Sequence, residues 1–600
     1  MLKAFSFIYV YYSKKIVFVF KNVHLIFSNT TVCNIKKKGL DDMDNLHEAL
    51  ERKNIAYFSM EIGLRSEIST YAGGLGGLAG DVIRSAADLN IPLVAVTLVS
   101  NKGYFRQILD PAGNQMEQTD EWDPSRFMTL CEEEVKVKIQ NRDVKLRAWI
   151  YTYKSHIEGC VPIIFLDTNV EGNESEDRKI TDFLYGGDQR YRLKQEIVLG
   201  IGGVRMLNAL GFKVRKYHMN EGHSSLLALE LLKQNSVDPT KVKELCIFTT
   251  HTPVEAGHDK FNYGLVADLI QDKNDVEILR KFGGTDYFDT SIFAMNLSNY
   301  INGVTKRHSQ ISSALYPGYK IHAITNGVHS YTWTSPYFRK LYDHYLPDWE
   351  NEPELLIRVG EIPDTEIWEA HWSAKRNLID EVNKKTGVGM DYDTLTIGFS
   401  RRMTSYKRPT LILSDLEMLR SINKRGKIQL IFAGKAHPND EAGKQIIRDI
   451  FKVMKTLRDE IKIVFLENYN MDLATKMVSG VDVWLNTPTC PYEASGTSGM
   501  KAAHNGVVNL SVLDGWWIEG WIEDVTGWSI GPKPDEKISI EETRIAELKD
   551  LYYKLYYIIV PMYYEQKDEW FKLINNSIGM IASYFNSHRM MRYYVTQAYL

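Results

Sequence analysis

No stretch of this 600-residue chain holds the roughly 18–20 uninterrupted apolar residues that a membrane-spanning helix requires. The nearest approach, Phe5 to Phe27, is broken by Lys14, Lys15 and Lys21 and lacks the basic, apolar, small-residue order of a secretory signal. Stable membrane association is therefore not expected. Cysteine is scarce too. Cys33, Cys131, Cys160, Cys246 and Cys490 are scattered and odd in number, without CxxC spacing, which argues against a structural zinc site and for a reducing, cytoplasmic compartment. Charge of one sign is also lacking: the net value is −4, and the body of the chain has no long basic run. Nucleic acid is thereby disfavoured as a partner. His223 and His251 have no HxxxH spacing or paired carboxylate beside them, so no metal is expected; at the ends of strands they suit the lining of a crevice. No repeat of the solenoid type is present.

The first forty residues differ in kind from the rest. Lys36-Lys37-Lys38-Gly39 would be encoded by an A-rich run followed by GG, which resembles a ribosome-binding site just upstream of Met43. The expectation is that translation starts at Met43 and that residues 1–42 are a gene-model extension.

From Asn54 onward, short β-like runs alternate with helical patterns. Asn54–Ser59 and Ile91–Thr97 flank Gly73-Gly74-Leu75-Gly76-Gly77-Leu78-Ala79-Gly80, where glycines between a strand and a helix let backbone approach a ligand. Residues 101–190 mix β-like stretches, as insertions or an antiparallel elaboration would. Leu193–Leu210 reads as a helix, and Cys246–Thr250 as a strand running into His251. The alternation restarts at Leu395: strands Leu395–Ser400, Ile428–Ala433 and Ile461–Leu466, with helices expected over Pro409–Ile422 and Ile446–Leu457. Ile578–Leu600 reads as helical. Length alone makes two large domains the prior. The expected division is 43–340, 341–575, and a terminal helix 576–600 packing back on the first domain.

Two segments carry chemistry. Arg401-Arg402-Met403-Thr404-Ser405-Tyr406-Lys407-Arg408 follows a strand, and four cations at its carboxyl end suggest phosphate, although a basic run alone is ordinarily solvated surface. Glu493-Ala-Ser-Gly-Thr-Ser-Gly-Met-Lys501 places a lysine in the first turns of an expected helix after a loop rich in free N–H groups. Such a lysine is either a Schiff-base former or an exposed residue on a linker, and the segment by itself does not decide.

Together these segments resemble the α-glucan phosphorylases of the compact type, from about Tyr57 to the carboxyl end. Glu493–Lys501 with Asn505-Gly506 is the most specific match, joined in order by Gly73–Ala79, Thr250-His251-Thr252, Thr325-Asn326-Gly327-Val328, Ser400–Arg408 and Glu467-Asn468-Tyr469. The resemblance implies an α/β fold of two doubly wound, Rossmann-like domains facing across a cleft, the GT-B glycosyltransferase architecture. It implies pyridoxal 5′-phosphate on Lys501, with Thr497, Gly74, Arg401 and Tyr469 near the cofactor. Arg402 and Lys407 would hold the substrate phosphate. Glu493, Ser495, Gly496, Asn326 and Tyr406 would contact the sugar, Glu61 would stand close to the site, and the backbone carbonyl of His251 would face the reacting glucose. Asn470 departs from the arginine of animal-type enzymes and puts one cofactor contact in question.

The implied activity is reversible phosphorolysis of α-1,4-glucan with retention, releasing α-glucose 1-phosphate. Phosphorylation and nucleotide switches are not expected in a chain of this length. A homo-oligomer is compatible with the resemblance. Two rivals remain: a nucleotide-sugar glucan synthase of the same architecture, in which a second glutamate stands where Lys501 does, and an inactive glucan-binding protein using Trp516, Trp517 and Trp521 as platforms.

Overall fold

A computed structural model describes residues 53–600 apart from 158, 255–257 and 537. The expectation for residues 1–42, with Cys33 and Met43, lies outside the described residues. No helix among those described is long and apolar enough to cross a membrane.

Apolar runs form the strands, most of them buried along their whole length, as parallel strands covered on both faces must be. In the first half these are β1 (Ile55–Ser59), β2 (Leu93–Leu98), β3 (Arg106–Leu109), β4 (Gln115–Gln118), β5 (Thr129–Ile139), β6 (Arg142–Lys154), β7 (Cys160–Asp167), β8 (Lys216–Asn220), β9 (Cys246–Thr249), β10 (Lys260–Asn262), β11 (Tyr287–Asp289), β12 (Tyr300–Gly303) and β13 (His322–Ala323). The second half contributes β14 (Leu395–Ser400), β15 (Ile428–Ala433), β16 (Lys462–Leu466), β17 (Val483–Asn486), β18 (Val508–Val512) and β19 (Gly527–Ile530).

Among the described residues, nine strands make one sheet in the order β13-β12-β9-β8-β1-β2-β7-β6-β5. From β13 to β7 the pairing is parallel, and β6 and β5 are added antiparallel. The β5–β6 hairpin turns at Gln140 and Asn141, both left-handed (φ 52° and 61°), which matches the twist of a tight hairpin. Its outer face is polar, which is why residues 101–190 read ambiguously. Six strands make a second, all-parallel sheet, β16-β15-β14-β17-β18-β19.

In each sheet the strand order reverses once, between β1 and β8 and between β14 and β17. Loops leaving the two strands at such a reversal diverge and open a crevice beyond the carboxyl ends. Those four loops carry Glu61 with the glycine run, Glu221, Arg401–Arg408 and Glu493–Lys501.

Four helices position the site: α1 (Gly74–Asp88), α2 (Met471–Gly480), α3 (Ser498–Ala503) and α4 (Ser587–Tyr594). Met590, Met591 and Tyr594 of α4 are buried in one apolar cluster with Tyr57 and Leu93 of the first sheet.

Two expected helices are corrected. Pro409 does not open one: Ser405–Lys407 is a single 3-10 turn, Arg408 is left-handed (φ 45°), and the helix begins at Leu416 with Asp415 as its cap. Ile578–Leu600 is not continuous either. The chain bends at Ser583–Asn586 because Val328 pairs with it, donating to Phe585 O and accepting from Ser587 N, while Asn586 caps α4 afresh.

Candidate active site

Lys501 lies in the one-and-a-half turns of α3, with its ammonium 3.5 Å from the centroid of the Trp333 ring. The ammonium makes no hydrogen bond to a described residue. Burial pushes its pKa down from 10.5 to about 8, helped by Arg84 and opposed by Asp81. The Trp333 ring is fixed in turn by its own N–H, which donates to Asp81 Oδ1 at 2.8 Å. Asn505 binds the carbonyls of Trp333 and Lys501 together, at 2.8 and 3.1 Å. A Cβ on Gly77 of α1 would stand 3.6 Å from Lys501 Nζ, so the glycine helix faces the amine directly. A buried, partly neutral amine on an aromatic floor is chemically suited to condense with an aldehyde.

Glu61 organises the glycine loop. Its Oε2 accepts from Ala72 N and Gly73 N (2.6 and 3.0 Å) and its Oε1 from the Tyr185 hydroxyl (3.0 Å). Both carboxylate oxygens are thus engaged by protein. A Cβ on Gly76 would fall 2.6 Å from that carboxylate, and one on Gly80 only 2.0 Å from Gly63 O, so the loop packs this tightly only as glycine. Gly74 is different: nothing lies within 4 Å of the Cβ it lacks, leaving its backbone open to a ligand.

Arg402 crosses toward this loop, with one guanidinium nitrogen 3.0 Å from where a Gly73 Cβ would be. It is solvent-exposed yet surrounded by Glu61, Tyr104, Tyr185 and Tyr406. An arginine enclosed in this way, with no hydrogen bond to a described residue, is a free cation inside a crevice. Lys407 and Arg401 instead converge on Glu493: Arg401 Nη1 is 2.9 Å from Glu493 Oε2, and Lys407 Nζ bonds the same oxygen. Despite burial, these two cations hold the Glu493 carboxyl below its ordinary pKa. Left-handed Gly496 (φ 78°) sits against both, since a Cβ there would be 3.0 Å from Arg401 Nη2 and 3.2 Å from the Glu493 carboxyl carbon.

Asn326 and Ser495 are buried, and Asn326 Oδ1 and Ser495 Oγ have no partner among the described residues. Buried polar atoms left unpaired are costly, and a ligand bearing hydroxyls would satisfy them. Thr497 precedes α3 without a side-chain capping bond, and Tyr469 is half-buried beside Ser400 and Arg401. His251 donates its backbone N–H to Glu221 Oε2 (2.6 Å), and its Nε2–H meets Asn220 Oδ1 (2.6 Å). Burial lowers its imidazole pKa to about 3, so the ring is neutral. Asn470 caps α2 through a bond from Leu473 N (2.9 Å), which commits it to the helix rather than to a ligand. Trp516 and Trp517 are core residues, 3% and 0% exposed, and offer no platform to a sugar.

Three positioning residues escaped the sequence reading. Asp514 accepts from Glu493 N (2.8 Å) and Gly515 N (2.9 Å), and burial raises its pKa to about 7. Glu221, left-handed at φ 73°, binds His251 N, Gly222 N and the Thr252 hydroxyl. Arg408 joins the two loops of the second sheet by donating to Thr487 O and Pro488 O and pairing with Glu547. Only Glu221's unusual setting between asparagine and glycine offered a signal.

The switch-point loops of two parallel sheets thus bring together a depressed lysine, a free arginine, an ion-paired carboxylate and orphaned sugar-type hydrogen-bonding groups. That combination defines an α/β enzyme built for an anionic and a polyhydroxyl ligand side by side. The carbohydrate phosphorylase family model matches residues 258–528. The chain is 40% identical to the maltodextrin phosphorylase of Thermococcus litoralis, over 91% of this chain and 70% of that protein. It is 35% identical to the glycogen phosphorylase of Aquifex aeolicus (92% and 87%) and 34% to that of Mycobacterium tuberculosis (91% and 70%). The chain belongs to the carbohydrate phosphorylase family and is accordingly a glycosyltransferase.

Proposed function

We propose that this protein is an α-1,4-glucan phosphorylase that uses pyridoxal phosphate and whose two sheets are the cores of facing Rossmann-like domains of GT-B type. The domains would span 43–340 and 341–575, with 576–600 returning to the first. The observation carrying the reading is Lys501: a half-buried amine without a hydrogen bond to a described residue, over Trp333 and against Gly77, one short helix away from the carboxylate of Glu493.

The residues fit the cofactor. Lys501 would hold it, with Gly74, Thr497, Arg401 and Tyr469 around its phosphate. When bound, pyridoxal phosphate supplies a second phosphate group that exchanges a proton with the substrate phosphate. Two phosphates this close repel strongly, and Arg402 and Lys407 offset that repulsion with fixed charge in an enclosed crevice. Asn326, Ser495, Gly496, Glu493 and Tyr406 would orient the terminal glucose. In the reaction the glycosidic C1–O bond breaks, C1 bonds a phosphate oxygen on the same face, and the proton goes to the departing glucan hydroxyl. Glu61 and Glu221 act one layer out, aiming the glycine loop and the His251 backbone. Cys131, Cys246 and Cys490 are free thiols, which fits a cytoplasmic enzyme.

Incubation with maltodextrin and inorganic phosphate is expected to release α-glucose 1-phosphate, from protein whose absorbance spectrum shows bound pyridoxal. Glucosyl transfer only from a nucleotide-glucose would reject the proposal in favour of a synthase.

A further inference from the structure

The carboxyl-terminal helix α4 carries a buried cation that the crevice chemistry above does not use. Arg589 is 7% exposed, and its guanidinium lies over the rings of Tyr584 and Tyr593, 4.7 and 5.6 Å from their centroids. Among the described residues no carboxylate pairs with it. Its N–H groups go to backbone carbonyls instead: Nε donates to Tyr584 O (2.8 Å), Nη1 to Thr325 O (2.8 Å) and Nη2 to Asn326 O (2.9 Å). A guanidinium spent on three carbonyls forgoes the stronger bidentate pairing with an anion.

The two carbonyls gripped by the fork belong to successive residues and flank one α-carbon. Each peptide unit is planar, so fixing the units on both sides of Asn326 fixes its φ and ψ, and with them the direction of its Cα–Cβ bond. Val328 N, donating to Phe585 O (3.0 Å), holds the same segment against the start of α4. Gly327 passes so near that a Cβ there would fall 2.1 Å from Asn586 O. The segment is tied to the second half as well. The Thr325 hydroxyl donates to Glu519 Oε2 (2.9 Å). Asn326 N donates to Val304 O (3.0 Å), and the hydroxyl of the next residue, Thr305, donates to Ala494 O (2.8 Å), beside Ser495. Asn326 Oδ1 and Ser495 Oγ, the two orphaned sugar-type groups, therefore stand at the ends of one short path of hydrogen bonds.

We propose that Arg589 is a positioning residue of the sugar site: its fork sets the backbone of Asn326 so that the amide meets a hydroxyl of the bound glucose. The assignment rests on the glucan reading above. Arg589 acts through Asn326 and so on the sugar, whereas phosphate is left to Arg402 and Lys407 on another loop.

Steady-state kinetics of the full-length holoenzyme in both directions test this. Arg589→Met is expected to raise KM for maltodextrin and for glucose 1-phosphate about five- to tenfold, the worth of one sugar hydrogen bond. The KM for phosphate, kcat and the pyridoxal content should change by less than about twofold, because uniform binding is lost and the phosphate site is untouched. Arg589→Lys keeps the charge but loses the fork, and should raise the same KM values about threefold. Asn326→Ala should raise them as Arg589→Met does, and adding Arg589→Met or Arg589→Lys to Asn326→Ala should raise them by less than about twofold more. An arginine with only a structural role would show effects that multiply with those of Asn326→Ala, or a KM for phosphate that rises equally; either result overturns the proposal, as does an unchanged KM for the sugar substrates. Should Arg589→Met fail to fold, the same comparison made with Arg589→Lys decides. A parent protein that phosphorolyses no glucan would instead reject the phosphorylase reading, and this assignment with it.

Discussion

Lys501 shows how one buried amine shapes both stability and chemistry. Its folded-state pKa, about 8, lies below the 10.5 of an unfolded chain, so the unfolded chain binds that proton more tightly. The cofactor-free protein should therefore gain stability as pH rises from about 8 to 10.5, and Lys501→Met should remove that gain. At pH 7 the methionine variant is expected to be more stable than the cofactor-free parent by about 1–3 kcal/mol, since no buried charge remains, and to hold no pyridoxal. Thermal melts and absorbance check both outcomes. Rebinding of pyridoxal phosphate to the parent should quicken through pH 8, as the neutral amine becomes the major form. For Arg402→Ala, a loss of about 10²–10³ in kcat/KM for phosphate is expected, because Arg402 is the cation that meets Gly73. An undiminished phosphate dependence would contradict that role, and Arg402→Lys should restore only part of the loss. At this scale the sequence spoke where composition was unusual, as in Glu493–Lys501 and Arg401–Arg408. It was silent on Asp514, because a residue that acts by accepting backbone N–H groups needs no special neighbour in sequence, and for Glu221 it offered only the flanking asparagine and glycine.

Among elements, α1 is held by residues far along the chain. Its last residue, Asp88, is buried and accepts from His329 Nε2 (2.6 Å), His588 Nε2 (2.9 Å) and the Ser155 hydroxyl (2.6 Å). Despite its burial, the histidine hydrogen bonds hold the Asp88 carboxyl far below the ordinary range. The other His588 nitrogen meets Asn351 O (3.1 Å), so the ring is fixed between the two. Asp88→Asn removes the carboxylate on which both histidines and Ser155 converge. It should cost about 3–5 kcal/mol in thermal unfolding and loosen α1, and with it the glycine loop at its other end. A melting temperature like the parent's would show the cluster to be incidental. The strands Leu395–Ser400 and Ile428–Ala433 were legible to the residue because continuous apolar runs bounded by polar turns admit one reading. The start of the helix after Pro409 was not, because the left-handed Arg408 and its tie to Glu547 come from tertiary contact.

For the whole molecule, one part of the joint between the halves is polar. The β3–β4 hairpin of the first half reaches the second through two buried glutamines: Gln107 Nε2 donates to Gly434 O (2.9 Å), Gln115 Nε2 donates to Ala436 O (2.9 Å) and Gln115 Oε1 accepts from Ala436 N (3.0 Å). Gln107 also exchanges bonds with Asn468, and Lys444 pairs with Glu117 at 3.0 Å. These hydrogen bonds can be exchanged for water at small net cost, whereas Leu109 and Gly113 of the same hairpin pack on apolar groups of the second half, Gly113 against Phe451. Replacing both glutamines by alanine should strand their backbone partners and favour the open form. The expected readouts are a larger radius of gyration in solution scattering and a higher KM for phosphate, with the melting temperature of each half little changed. Unaltered scattering would argue against a latch. None of this was visible in sequence: the hairpin fell in the stretch that read only as an elaboration, and glutamine carries no pattern.

The return of α4 to the first sheet has a consequence for how the protein is made. Tyr594 and Tyr599 lie against β8, β9 and β12, with hydroxyls bonded to Asn302 and His218, and Met590 and Met591 close the cluster around β1 and β2. The first half emerges from the ribosome early but cannot finish its own core until residues 587–599 have been synthesised and have found their groove. A nascent chain stalled anywhere in the second half should therefore remain sensitive to protease within the first.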